Sequence, residues 1–257
     1  MWQLYDDLID LIPEDVKVEE CLLGCHWILV RSKAVGIAMT PFEGSRRIRN
    51  AGNLKGMPLR ELASYIKSWN FMEAALGSAA LNSFINCPKS VKRLEGYIQS
   101  EDNLNAFEYL KKQITGKKVA VIGHFPDLEE LKDICKISIL ERRPSEGDFP
   151  DPACEYILPE QDYIFITGTT LANKTLPRLL QLGSNSEVIL VGPSTPLAPV
   201  LFDYGVDMLA STVVTDNASL WKTVQECGCR EIFKCGGKMV KIHKPAKDHI
   251  YKVASSK

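Results

Sequence analysis

Apolar residues near the start of the chain recur at Trp2, Leu4, Tyr5, Leu8, Ile9 and Ile12, the spacing of one helical face, and Pro13 stops the pattern. Three β-rich runs follow at residues 16–23, 27–30 and 35–39. Gly24 and the Ser32-Lys33 pair fit tight turns between them, which predicts an antiparallel meander. The pattern then dissolves into TPFEGSRRIRNAGNLKG, a loop. Pro58 stands at a first helical position and opens the amphipathic PLRELASYIKSW. Asn70 suits the cap of the next helix, FMEAALGSAALNSFI, whose small residues allow close packing. These elements predict a small α+β unit over residues 1–86. Residues 88–103 show no period and read as a connection, and residues 103–114 form an amphipathic helix that completes a connecting segment, 87–115.

From Gly116 the pattern changes. KKVAVIG, ISIL, DYIFIT, EVILVG and VDMLA are apolar runs without alternation, separated by helix-length segments. Runs of that kind are strands buried on both faces, so residues 116–245 are expected to form a parallel sheet with crossover helices. The segment EGDFPDPACEYILPE is too rich in proline for a helix and reads as a loop over the sheet. The basic stretch 246–257 reads as a tail. The fold class is therefore α/β, a small α+β unit followed by a Rossmann-like domain.

Ligands of open parallel sheets bind beyond the carboxyl ends of the strands, where strand order reverses, so the residues just after each strand are the candidate site. After the first strand come Gly123 and His124. The GxGxxG fingerprint of dinucleotide binding is absent, though a helix start at Asp127 would face an anion. After ISIL comes Glu141, about where such folds hold a ribose. Thr167, Gly168, Thr169 and Thr170, with Asn173 beyond them, offer amides and hydroxyls suited to a carboxylate or phosphate. Gly192, Pro193, Ser194 and Thr195 stand in a loop that three prolines stiffen, which lowers the entropy lost on presenting the two hydroxyls. A plain strand-to-helix turn, a solvated strand end at Glu141, helix capping by Thr170 and a rigid structural turn are the structural alternatives.

The loop of the first unit adds Glu43, a candidate general acid/base or metal-facing carboxylate, with Arg46, Arg47, Arg49 and Asn50 as anion contacts or a solvated charge run. His124 is the best-placed histidine; His243 and His249 look incidental. Hydrolase elbows, Walker loops and HExxH are absent.

Composition narrows the function classes. The formal net charge of −1 over 257 residues argues against a nucleic-acid or membrane partner. No stretch approaches the roughly 18–20 apolar residues of a membrane span, and the acidic start is unlike a signal peptide, so a cytoplasmic location is expected. The 8 cysteines are dispersed in a chain that needs no staples, so reduced thiols are expected. Cys227-Gly228-Cys229 near Cys235, and Cys21 with Cys25 and His26, lack the paired spacing of structural zinc, so no metal ligand is assigned.

TGTTLANKTLPRLL, VGPSTPLAPVLFDYGVDMLASTVV and GDFPDPACEYILPEQDY resemble a heavy-metal-chelation family of bacterial and archaeal proteins, and VGIAMTPFEG resembles its companion N-terminal region. The resemblance implies an enolase N-terminal-like domain followed by a Rossmann-like one, with a site between them. Glu43 and its loop would then face residues 167–170 and 192–195. The expected function is binding of an anionic small molecule, a pterin-, flavin- or siderophore-like chelator or a precursor undergoing condensation or hydrolysis. The competing classes are a metal-binding protein using Cys227 and Cys229, and a methyltransferase using S-adenosylmethionine at Glu141. The cofactor and any homo-oligomer are left open.

Overall fold

The computed structural model describes residues 2–94, 97–100, 103–126 and 128–245. The first unit begins with α1 (Gln3–Asp10) and the strands β1 (Glu20–Leu23), β2 (Trp27–Arg31) and β3 (Val35–Met39), followed by α2 (Leu59–Ser64) and α3 (Phe71–Ile85). The strands form the expected antiparallel sheet in the order β1-β2-β3. β1 starts later than the apolar run because residues 16–18 pair elsewhere: Val18 N–H donates to the Met57 carbonyl and Leu59 N–H to that of Val16. Pro58 therefore has an extended backbone (φ −53°, ψ 129°) and precedes the helix. Asn70 caps α3 as expected, its side chain accepting from Met72 N–H.

The chain continues through α4 (Pro88–Lys92), β4 (Ile98–Ser100), α5 (Ala106–Ile114), β5 (Lys118–Ile122), β6 (Lys136–Glu141), β7 (Phe149–Pro150), α6 (Cys154–Ile157) and β8 (Tyr163–Thr167). It ends in α7 (Thr169–Asn173), α8 (Leu176–Leu182), β9 (Glu187–Val191), β10 (Met208–Val214), α9 (Asn217–Gln225) and β11 (Gly237–His243). Residues 88–103 thus hold a helix and an edge strand too short to show a period. α5 begins only after Asn105, which closes a capping box with Glu108. The proline-rich segment is not a plain loop: it folds as 3-10 turns around α6, with Pro152 and Pro159 in first-turn positions where no N–H is missed. Asp127 and the tail 246–257 lie outside the described residues; a 3-10 turn, Leu128–Leu131, follows Asp127.

The large sheet has the order β4-β11-β10-β9-β8-β5-β6-β7. Pairing is parallel from β10 through β9, β8 and β5 to β6 and β7, whereas β11, unanticipated as a strand, runs antiparallel along β10. Strand order reverses at β5, whose two neighbours, β6 and β8, both follow it in sequence and lie on opposite sides of it. The ends of these three strands are therefore the switch point where such sheets bind ligands.

Alternation along the small sheet explains how the two units join. Ile28, Val30 and Ala38 enter the core beneath α1, α2 and α3, while Trp27, Leu29, Val35 and Ile37 pack on Val214, Leu220, Val224 and Ile232. The large-sheet domain thus covers the outer face of the small sheet. On the inner side, α3 packs on β3 and α7, and one core runs from Leu4 and Leu76 through to Ile122, Leu140 and Ile164.

Candidate functional site

A glycine follows each of three adjacent parallel strands, and each amide bonds the neighbouring strand: Gly123 to Leu140, Gly168 to Val191 and Gly192 to Ala210. Gly123 and Gly192 lie at positive φ (+102° and +104°), which turns the chain off the sheet at little steric cost. Above them, between the two units, is a cavity of about 630 Å³.

Of the residues singled out from sequence, Gly123, His124 and Glu141 line this cavity from the ends of β5 and β6. Thr167, Thr169 and Asn173 line it from the end of β8, Gly192, Pro193 and Ser194 from the end of β9, and Glu43 from the first unit. Asn50, Gly168, Thr170 and Thr195 are not in the lining. Asn50 hydrogen-bonds the Tyr65 hydroxyl, and Thr170 lies inside α7, where its hydroxyl donates to the Thr167 carbonyl; the residue at the cap is Gly168, so Thr170 does not cap the helix.

The loop over residues 192–197 is built into the seam. α3 presents Ser78, Asn82 and its capping residue Asn86 at four-residue spacing, one stripe of a helix. Asn82 Nδ2 donates to the carbonyls of Ile37 (2.8 Å) and Pro193 (3.4 Å). Asn86 Nδ2 donates to Thr195 O (3.0 Å), and Asn86 Oδ1 accepts from Leu197 N–H (2.8 Å). Ser194 Oγ accepts from Met39 N–H at 2.9 Å, so this hydroxyl is engaged with β3, and Thr195 is fully buried. A Cβ on Gly168 would stand 2.6 Å from Thr195 N, which requires glycine where the two loops meet.

The ionisable lining is largely paired. Glu43 lies between two guanidinium groups, 3.0 Å from Arg142 Nη2 and 3.0 Å from Arg143 Nε, and so bridges the first unit to the end of β6. Arg142 stands over the Phe71 ring and Arg143 over Phe42. Glu141 accepts from the amides of His124 (3.0 Å) and Arg142 (2.7 Å), so both its oxygens are used in shaping the loops. Arg49 is held by Glu73, whose carboxylate also takes Arg49 N–H and the Ser68 hydroxyl. Burial by itself would raise the Glu73 pKa; the bonds from Ser68 and Arg49 outweigh it and hold it below the usual range.

Two features escaped sequence reading. Asp148, whose side chain is only 3% exposed, lies 2.9 Å from His124 Nδ1. A carboxylate only accepts, so the contact orients the ring with Nδ1–H toward Asp148. Its position 24 residues from His124 carries no local signature. The second is an aromatic wall: Trp27, Phe42, Phe71, Phe107, Phe125 and Phe233. Four cationic lining residues, Arg142, Arg143, Arg230 and Lys241, outnumber the carboxylates Glu43 and Glu141, which favours an anion. A second, more open groove of about 520 Å³ lies beside Glu19, Arg31 and Lys55.

Lys174 straps the β8 loop to the first unit. It is buried at positive φ, and its ammonium donates to the carbonyls of Ser68 and Ala172. Burial lowers its pKa from 10.5 to about 8. The folded state then releases this proton before the unfolded state does, so its contribution to stability rises with pH from about 8 to about 10.5. Wild type is expected to gain about 2–3 kcal/mol relative to Lys174→Met across that window, measured by denaturant unfolding at each pH.

The expectation of reduced thiols does not hold throughout, since Cys25 and Cys227 form a disulfide with a Cα separation of 5.4 Å. The turn before β2 and the turn after α9 bring together residues far apart in sequence, within ordinary bridging distance. Among the described residues no group of three His, Cys, Asp or Glu side chains is gathered for a metal ion. Burial pushes the Cys21 and Cys154 thiols up to about 12, a further step away from soft-metal ligation. The described side chains therefore offer no three-donor set for a heavy metal. No helix among the described residues is long and apolar enough to cross a membrane.

Comparison with known proteins gives consistent matches. The profile of DUF364, described as "Putative heavy-metal chelation", matches residues 105–243, and that of DUF4213, with the same description, matches residues 5–85. An uncharacterized protein of Methanocaldococcus jannaschii is 35% identical over 232 residues, 82% of this chain and 83% of the relative. A crystal structure of a DUF364-family protein of unknown function from Desulfitobacterium hafniense superposes with a TM-score of 0.88 at 44% identity, covering 95% of this chain and 99% of that one. A second, from Pyrococcus horikoshii, has a TM-score of 0.76 at 23% identity, covering 94% and 98%, and speaks to the fold alone.

Proposed function

We propose that this chain, which belongs to the DUF364 heavy-metal-chelation family, binds a flat, anionic small molecule in the cleft between its two units and moves a proton on it through His124. The observation that carries the reading is the cleft's composition, an aromatic wall with guanidinium groups at its rim and an Asp148-oriented imidazole on its floor. Aromatic faces favour a planar heterocycle, and the arginines favour carboxylate or phosphate oxygens. A pterin-, flavin- or siderophore-like chelator, or its precursor, has that chemistry, and a heavy metal then reaches the protein as the ligand's cargo. This is consistent with the lack of a three-donor metal group among the described side chains.

In this reading an incoming anion displaces the Glu43 carboxylate from Arg142 and Arg143. Glu43 is then a latch over the cleft, whereas His124 Nε2 takes a proton from the ligand or from water and returns it to a leaving group, as condensation or hydrolysis requires. A thermal-shift screen with a carboxylated pterin and FMN as probes, followed by titration of the better one, tests it. Arg142→Ala is expected to weaken binding by roughly tenfold, and Glu43→Gln to tighten it. His124→Gln is expected to retain binding and lose turnover. Equal affinity in wild type and Arg142→Ala would sink the assignment.

A further inference from the structure

The mechanism above leaves the one disulfide among the described residues without a role. Cys25 lies in the turn between β1 and β2, and Cys227 in the turn that ends α9, so the bond joins the two units across a sequence separation of 202 residues. Both residues are exposed. We propose that Cys25 and Cys227 are a redox-modification site, a reversible strap closed and opened by exchange with low-molecular-weight disulfides and thiols.

The backbone is built to bring the sulfurs together. Cys227 has a left-handed φ of +59°, which few non-glycine residues adopt, and this turns the chain out of the α9 axis toward the small sheet. Gly228 lies so close to Thr223 that an added Cβ would stand 2.8 Å from the Thr223 carbonyl oxygen, which fixes the same turn. Two residues beyond each cysteine, Trp27 Nε1 donates to the Cys229 carbonyl at 2.8 Å. Beneath it, Trp27 and Leu29 pack on Leu220 and Val224. None of these contacts runs through the sulfurs, so after reduction they are expected to keep the two thiols facing one another. Cys87, Cys135 and Cys154, by contrast, are buried away from small oxidants.

The chemistry balances as ordinary exchange. One cysteine thiolate attacks a sulfur of the external disulfide and expels one thiolate. The other cysteine then attacks the mixed disulfide and expels the second. Two electrons pass from the protein dithiol to the external disulfide, which leaves as two thiols. Because Trp27, Cys229, Arg230 and Phe233 line the main cavity, the strap sets how firmly that wall is held.

The test uses the full chain equilibrated with glutathione disulfide or with millimolar glutathione, then blocked with N-ethylmaleimide and digested with trypsin. The peptides holding Cys25 and Cys227 also contain Cys21 and Cys229, so fragment ions must assign the linkage. The expected result is a Cys25–Cys227 cross-link in the oxidised sample and none in the reduced one. The oxidised Tm should be higher by on the order of 5–15 °C, because the bond closes a long loop in the unfolded chain. That difference should vanish in Cys25→Ala and Cys227→Ala and persist in Cys235→Ser. Glutathione adducts without the cross-link, a linkage that millimolar glutathione leaves intact, or equal Tm values would each overturn the proposal. None of these readouts involves a cleft ligand, so they stand or fall separately from the function proposed above.

Discussion

Gly36→Ala is expected to leave little folded protein. Gly36 sits in β3 on the face that carries α3, and a Cβ there would lie 2.1 Å from both the Ala79 carbonyl oxygen and the Ser83 amide nitrogen. Both are backbone atoms, so no side-chain rotation relieves the clash, and the helix itself would have to lift. Lifting α3 breaks the Asn82 contact to Ile37 O and withdraws the stripe that holds the 192–197 loop. Overpacking against a well-packed helix costs about 1–3 kcal/mol when side chains can adjust; here the helix must move, and a loss of about 4–5 kcal/mol is expected. Urea unfolding of purified Gly36→Ala, or its recovery in the soluble fraction, reads this directly. A stability within about 1 kcal/mol of wild type would show that α3 does not sit as closely on β3 as described.

Asn86→Ala is expected to cost about 2–4 kcal/mol and to loosen the cleft as well. Asn86 is 2% exposed and makes three bonds, to Thr195 O, to Ser211 Oγ and from Leu197 N–H. Thr195 O keeps a second donor, the Ser211 hydroxyl at 2.6 Å, but Leu197 N–H has no other partner among the described residues. The expected consequence is a fall in Tm of about 5–15 °C and faster hydrogen exchange confined to residues 193–198. Asn86→Asp retains the acceptor for Leu197 N–H and loses the two donors, so exchange at Leu197 should separate the two variants.

Much of the fold was legible because its signals are local and repeated. The apolar runs of β5, β8 and β9 each end in a glycine, and Asn70 caps α3 where the apolar pattern resumes. The residues after these strands reach the cleft because the strand order reverses at β5, which the run of strands made foreseeable but did not establish. What stayed hidden depends on contacts between distant segments. Residues 16–18 look like part of β1 but pair with 57–59. β11 has only short apolar stretches and is a strand because β10 offers it an edge. Ser194 and Thr195 looked like hydroxyls offered to a ligand; that α3 and β3 would engage this loop could be read only once Ser78, Asn82 and Asn86 were seen as one helical stripe. Glu43 was legible as a cleft residue, but its ion pairs with Arg142 and Arg143 come from the other unit. The Asp148 partner of His124 likewise depends on the path of the β6–β7 connection.

Binding of a planar anion in the cleft between the units is tested most directly by a crystal structure with the best-binding heterocyclic probe. Density is expected in the cavity of about 630 Å³, with anionic oxygens on Arg142 or Arg143, Glu43 turned away from them, and the ring system against Phe71 or Phe125. Density in the groove beside Glu19 and Arg31, or in the cavity with the Glu43–arginine bridge intact and no oxygen on either guanidinium, would contradict it.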